Sequence, residues 1–525
     1  MMNNVNALNE LGQSIWLNYL RRAFVESGEL NEYLAAGIAG VTSTPLIFEK
    51  AIIGSADYDR ALAQSVKAGL PVKTIYEALV VDDCQRACDL LHPLFERSQG
   101  VDGYVSVELD PDLAHDEIGT VATARHLMTT VNRANAMLEI PATPAGLSAL
   151  ITLIGEGISV NVTHVFSLAT YEAAARAYLA GIKNYLDVHS GWPFRPASVV
   201  SFSVSSVDSA VDTVLAAIGR PDLQGQTAIA LAKVIYSRFR DLFSGPEWEA
   251  MLHRRAHPQR PKWTRTTPRN FAYPATFYVE ALIGPNTVTT VAPAVFHAFG
   301  ERDLVNSTLT TGLEEAHAHL ATLAELGIDL EAIANQLQAE SLANFHTYYQ
   351  ALMGSAARKR DQLDAGWQRM EVDLGPLQAE VNRALAGVAE RRLMTRIWAY
   401  DPTVWRSGPE TPRDRLNWLP AVEVMQEHAG RIQVFASSVL ADRYTRAVCL
   451  EKGEASLVPQ LFYQTFGKPA RPSHSRYPYL ELAVLDVNDP QAVLTESRRP
   501  DLDQTLFIVP GRVEEDSTGL YGFLD

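Results

Sequence analysis

Between residues 10 and 355, short runs rich in β-branched residues alternate with longer amphipathic stretches. That alternation restricts the chain to helices wrapped around a mostly parallel sheet. Strands are expected at 104–109, 136–140, 159–165, 199–204 and 262–264, each followed by a helical stretch such as 144–156 or 170–185. A closed barrel and an open α/β sheet both satisfy the pattern. A long helix over 330–353 closes this unit, because Leu330, Ile333, Leu337, Phe345, Tyr348 and Leu352 recur at three- and four-residue spacing on one face.

At 525 residues the chain is too long for one compact domain. Residues 356–380 are charged and helical in pattern, turn formers gather at 402–412, and strand-like runs return at 447–451 and 480–485. The expected division is a first unit over 1–360, a helical linker over 361–410 and a small α/β domain over 411–525. With 61 Asp and Glu against 45 Lys and Arg, the formal charge of -16 opposes binding to nucleic acid and to anionic membranes. No apolar run approaches the length of a membrane span, and the first residues carry no basic patch followed by an apolar stretch, so a cytoplasmic location is expected. Three cysteines make no disulfide framework, and Cys84 and Cys88, four residues apart in a helical pattern, read as core thiols.

No CxxC pair, HExxH, Walker loop or post-strand GxGxxG is present, so neither a metal nor a nucleotide cofactor is expected. Four other segments carry more information: Leu11-Gly-Gln-Ser-Ile-Trp-Leu-Asn-Tyr, Gly40-Val-Thr-Ser-Thr-Pro-Leu-Ile-Phe, Ile140-Pro-Ala-Thr-Pro-Ala-Gly and Gly157-Ile-Ser-Val-Asn-Val-Thr-His-Val-Phe-Ser. Together with Gln259-Arg-Pro-Lys-Trp and Tyr278-Val-Glu-Ala-Leu-Ile-Gly-Pro, they resemble the transaldolase family in its version fused to glucose-6-phosphate isomerase. The resemblance implies an (α/β)8 TIM barrel with its chemistry at the carboxyl ends of the strands. Farther on, Leu450-Glu-Lys-Gly-Glu-Ala-Ser-Leu-Val-Pro, Leu485-Asp-Val-Asn-Asp-Pro and Thr505-Leu-Phe-Ile-Val-Pro resemble the first sugar-binding half of a phosphoglucose isomerase domain, with its second half missing. In the phosphate-loop segment Gly453-Glu-Ala-Ser-Leu457, Glu454 puts negative charge where a phosphate would sit, so isomerase activity is not expected.

Carried over residue by residue, the resemblance places Glu139 where transaldolases have their imine-forming lysine, and a carboxylate forms no imine. Asn18 falls at the family's acid/base aspartate, and Thr44 at its asparagine. Glu108 and Thr163 fall where the family keeps a glutamate and a threonine. Two carboxylates in one barrel mouth raise the pKa of at least one of them, which makes one an acid and the other a base. At the phosphate end Ser205 stands beside Ser206, where an arginine is the rule, while Arg265 and Arg269 offer paired N–H donors to an anionic group.

His164, next to Thr163 on a strand, is expected by alternation to point away from the axis and to serve no metal. Lys262, taken to have the opposite parity to an inward Arg265, is expected to be no substitute for the missing amine. The expected protein is a transaldolase-like enzyme working without an imine, by cyclisation, dehydration, isomerisation or condensation. Glu139 and Glu108 would be its acid and base, with Asn18 and Thr163 as hydrogen-bond partners and Thr44, Ser205, Arg265 and Arg269 binding a small, anionic substrate. A non-catalytic scaffold or metabolite-binding protein, and a true transaldolase using another lysine, are the alternatives; the oligomeric state is left open.

Overall fold

The computed structural model describes residues 4–42, 45–55, 57–189, 194–270, 273–300, 306–364, 377–391, 393–398, 444–451, 481–486, 490–499 and 501–508, with isolated positions between 404 and 442. Eight strands, β1 (Gln13–Asn18), β2 (Gly40–Thr42), β3 (Tyr104–Glu108), β4 (Ala136–Pro141), β5 (Val160–Val165), β6 (Ser198–Ser203), β7 (Arg260–Thr264) and β8 (Thr287–Val291), close into a barrel. All neighbours pair in parallel, β8 returning to β1. This removes the open-sheet alternative.

The sequence of β5 shows why such strands form. Val160, Val162 and Val165 are buried under the outer helices, while Asn161 and Thr163 fall on the axis side. A parallel sheet covered on both faces needs apolar residues outside, and a barrel of this size fills its inside with layered side chains. At the amino-terminal end Arg260 bonds Ser14 Oγ at 2.7 Å and Asp102 Oδ1 at 2.9 Å, and Trp16, Met137, Val199 and Val288 pack above it as a floor.

Helix ends fix the strand-to-helix turns at the opposite end. Thr143 caps the helix Pro144–Gly155, its hydroxyl accepting from the Gly146 N–H at 3.0 Å. Gly146 is required there, since a Cβ would stand 2.0 Å from the Pro141 carbonyl oxygen. The long amphipathic helix is real and runs farther than its apolar spacing indicates, over Leu330–Asp364. It reaches the barrel mouth: Gln338 Nε2 donates to the carbonyls of Ala142 and His164 at 3.2 and 3.0 Å.

Two compact units divide the chain, Met1–Asp373 and Leu374–Asp525. The second contains a three-stranded parallel sheet of order β10-β9-β11, from β9 (Arg446–Glu451), β10 (Glu481–Asp486) and β11 (Thr505–Ile508), around Val448 and Leu485. The phosphate-loop segment with Glu454 lies outside the described residues. Among the described residues no helix is long and apolar enough to cross a membrane.

Candidate active site

The register of the eight strands stacks the barrel interior in layers, alternate strands contributing to each. Trp16, Ser106, Asn161 and Lys262 form one; Thr42, Glu139, Ser201 and Thr290 the next; Asn18, Glu108, Thr163 and Thr264 the one nearest the mouth. Such a polar set is unusual for a barrel core, where branched aliphatic residues dominate.

Glu139 is the hub. Its Oε1 accepts from Thr42 Oγ1 at 2.6 Å, Ser106 Oγ at 2.7 Å and Asn161 Nδ2 at 3.2 Å. Asn161 is itself oriented, donating to Ser106 Oγ at 3.0 Å and accepting from Ser201 Oγ at 2.7 Å. Glu108 is the register partner of Glu139 on β3. Burial first, and the charge of Glu139 second, hold the Glu108 carboxyl well above the usual carboxylate range, against the opposing pull of Arg265 and Lys262.

A small open cleft is lined by Glu108, Glu139, Thr163, His164 and Phe345. The structure thus brings Glu139, Glu108 and Thr163 together on one wall. Asn18 stands at the top of β1 with its Oδ1 buried and unpartnered among the described residues. Arg265, exposed, follows the end of β7 and acts electrostatically on Glu108 and His164. Arg269 is exposed as well. Ser205 is buried at the start of the helix Val204–Ala217, where its backbone N–H donates to the Arg265 carbonyl at 3.2 Å. Thr44 lies outside the described residues.

Two orientations differ from those expected. His164 does not point away: the β5–β6 register shifts between Val162 and Val165, His164 takes φ 58°, and its ring turns to the cleft wall. A bulge breaks the alternation on which the expectation stood. There Nδ1 lies 2.9 Å from Ser341 Oγ, and burial lowers the imidazole pKa to about 4, so the ring is neutral. Lys262 is the second case. It faces the barrel interior, only 1% exposed, with Nζ 4.7 Å from the centroid of the Trp16 ring. Arg265 lies one residue past the end of β7 and has φ 52°, so its direction says nothing about strand parity. Burial lowers the Lys262 pKa to about 8, while Glu139 and Glu108 oppose the fall.

Lys262 was thus set aside by the sequence reading, and Thr42, Ser106, Asn161 and Ser201 were not singled out by it. The spacing Arg260, Lys262, Thr264 carries the missed signal, since two-residue steps on one short strand share a face.

A parallel barrel with a polar, titratable interior opening at its carboxyl end defines a (β/α)8 enzyme-type scaffold. Residues 15–356 match the model of the transaldolase/fructose-6-phosphate aldolase family, and the chain belongs to that family. It is similar to the transaldolase of Neisseria gonorrhoeae, 42% identical over 354 residues that make 67% of this chain and 99% of that one. The transaldolase of Thiobacillus denitrificans is 42% identical over 357 residues, 67% of this chain and 99% of its own. Transaldolase 2 of Nostoc punctiforme is 37% identical over 372 residues, 68% and 97% of the two chains.

Proposed function

We propose that this transaldolase-family chain is an enzyme that moves protons on a small carbonyl compound with a pair of carboxylates, without an imine at residue 139. The observation that carries the reading is the inequality of two neighbouring glutamates. Three donors converge on one oxygen of Glu139, an arrangement that complements a carboxylate anion. Its register partner Glu108 is held toward the protonated form by burial and by that anion. One base and one acid share the wall of one cleft, which suits isomerisation, dehydration, cyclisation or condensation. Asn18 and Thr163 would orient the substrate, and Arg265 or Arg269, exposed near the mouth, would hold an anionic group of it, with Ser205 and Thr44 as further contacts. The residue at 139 stands where the family resemblance puts the imine-forming lysine, and a carboxylate has no amine to offer. The three-stranded parallel sheet of the second unit supports reading it as a counterpart of a sugar-isomerase half domain, without that enzyme's activity.

The test is hydron exchange. Dihydroxyacetone in deuterated buffer, followed by proton NMR, should lose its carbon-bound hydrons with the native protein. Glu139→Gln should slow that loss by at least ~100-fold, within the range of general base catalysis. Equal rates for the native protein and Glu139→Gln would end this reading.

A further inference from the structure

The barrel interior has two unlike halves. From β2 to β6 its polar side chains satisfy one another, Thr42, Ser106, Asn161 and Ser201 linking bond by bond to Glu139. From β7 through β8 to β1 the pairing is incomplete, although Arg260 donates to Ser14 Oγ and Thr264 to the Phe202 carbonyl. Thr290 Oγ1 and Asn18 Oδ1 are buried with no partner among the described residues, and Lys262, 1% exposed, has its ammonium over the Trp16 ring. Polar groups buried in native proteins have partners, so these two oxygens are open to one.

Lys262 has not simply closed onto its counter-charge. No ion pair within 4.0 Å joins it to Glu139 or Glu108, although both carboxyls act on it electrostatically. The face of the Trp16 ring supports the ammonium instead, a contact that holds a cation while leaving N–H donors unused. Lys262 belongs to the layer directly below that of Glu139, on a four-carbon stem long enough to bring Nζ up to the carboxylate's level. A charge-bearing donor thus shares the barrel interior with the hub carboxylate, near enough for the two to act on each other.

Removal of a proton next to a carbonyl requires both a base and a group to take the charge arriving on oxygen. We propose that Lys262 is the electrophile of this site: its ammonium binds the substrate's carbonyl oxygen and holds the negative charge that develops there while Glu139 removes a proton from the neighbouring carbon. The C–H bond breaks and its proton passes to the Glu139 carboxylate. Its electron pair becomes the carbon–carbon double bond, and the carbonyl π pair collects on the oxygen beside Lys262. Return of a proton from Glu108 or Glu139, to carbon or oxygen, completes the transfer. Thr290, in the Glu139 layer, and Asn18, in the layer nearest the mouth, have unpartnered oxygens that would take a vicinal hydroxyl of the same substrate, so the class indicated is a small hydroxy-ketone or hydroxy-aldehyde that passes through an enediolate. The inference rests on the proton-transfer reading above.

Glycolohydroxamate, a planar mimic of a two-carbon enediolate, is the probe, with its affinity for the full chain measured by titration calorimetry. The native protein should bind it, Lys262→Met should bind at least ~100-fold more weakly, and Lys262→Arg should keep part of the affinity, as expected for one charged donor to an oxyanion. Denaturant unfolding of each variant checks that the barrel is intact, and the arginine variant keeps the test meaningful if the methionine variant is unstable. Absence of binding by the native protein, or equal binding by Lys262→Met, overturns the proposal. So does a dihydroxyacetone-derived adduct on Lys262 after borohydride reduction, because the amine would then be acting as a nucleophile. Glu139→Gln should still bind the hydroxamate; if it also retains full hydron exchange, the proton-transfer reading fails while a Lys262-dependent oxyanion site stands.

Discussion

Replacing Glu139 by leucine and by glutamine separates what this carboxylate does for the fold from what it does for chemistry. In Glu139→Leu the hydroxyls of Thr42 and Ser106, which donate at 2.6 and 2.7 Å, lose their acceptor. Asn161 keeps Ser106 Oγ at 3.0 Å and is not orphaned. At roughly 1–3 kcal/mol for each buried donor left unsatisfied, the loss is about 2–6 kcal/mol. In Glu139→Gln an amide oxygen replaces Oε1 and all three donors remain bonded. Exchanging charge-assisted for neutral bonds costs about 1 kcal/mol each, or about 3 together. Relief from burying a carboxylate offsets a cost of that size. The glutamine variant should therefore stay within ~2 kcal/mol of the native protein and above the leucine variant, while losing hydron exchange. Urea unfolding followed by tryptophan fluorescence reads the difference, since Trp16 and Trp263 are fully buried in the barrel. A leucine variant as stable as the native chain, or a glutamine variant less stable than the leucine one, would refute the hub role.

Three other expectations concern packing and pH. Gly40→Ala should destabilise the barrel by about 1–3 kcal/mol through overpacking, because its Cβ would stand 2.6 Å from the Trp16 ring; unchanged urea stability would contradict that packing. Asp208, which accepts from Ala228 N–H at 2.6 Å and Tyr278 O–H at 2.8 Å, has its pKa raised by burial to about 7. Between about pH 4 and 7 the folded protein then holds a proton that the unfolded chain has released, so stability falls as pH rises through that window, by up to about 4 kcal/mol. Asp208→Asn should flatten this slope relative to the native protein, and parallel stability–pH curves would rule the assignment out. His164, with its pKa lowered to about 4, takes up a proton only after unfolding at mildly acid pH, so its contribution to stability is lost as pH falls from about 6.5 toward 4. Its imidazole resonance should not titrate between pH 7 and 5 by NMR; a midpoint above 6 would contradict the burial argument.

Strand and helix placement was legible because it depends on local pattern. The expected strand over 104–109 is β3 (Tyr104–Glu108), and that over 136–140 is β4 (Ala136–Pro141). The helix expected over 144–156 is Pro144–Gly155. Barrel closure was not legible in the alternation itself, which an open sheet satisfies equally; it is the pairing of β8 with β1 that decides it. Among candidate residues, Glu108, Glu139 and Thr163 were visible through their motif positions and do meet in one cleft.

Lys262 and His164 were misread for the same reason. Two-residue alternation holds only inside a regular strand, and Arg265 lies past the end of β7 while His164 sits in a bulge of β5. The elements, their order and the residue types that carry charge follow from short-range periodicity and composition, and are readable along the chain. That a lysine from β7, a tryptophan from β1 and two glutamates from β3 and β4 share one interior becomes visible with the closed barrel. Their proximity is set by the register and shear of a closed barrel, which bring together residues far apart in the chain.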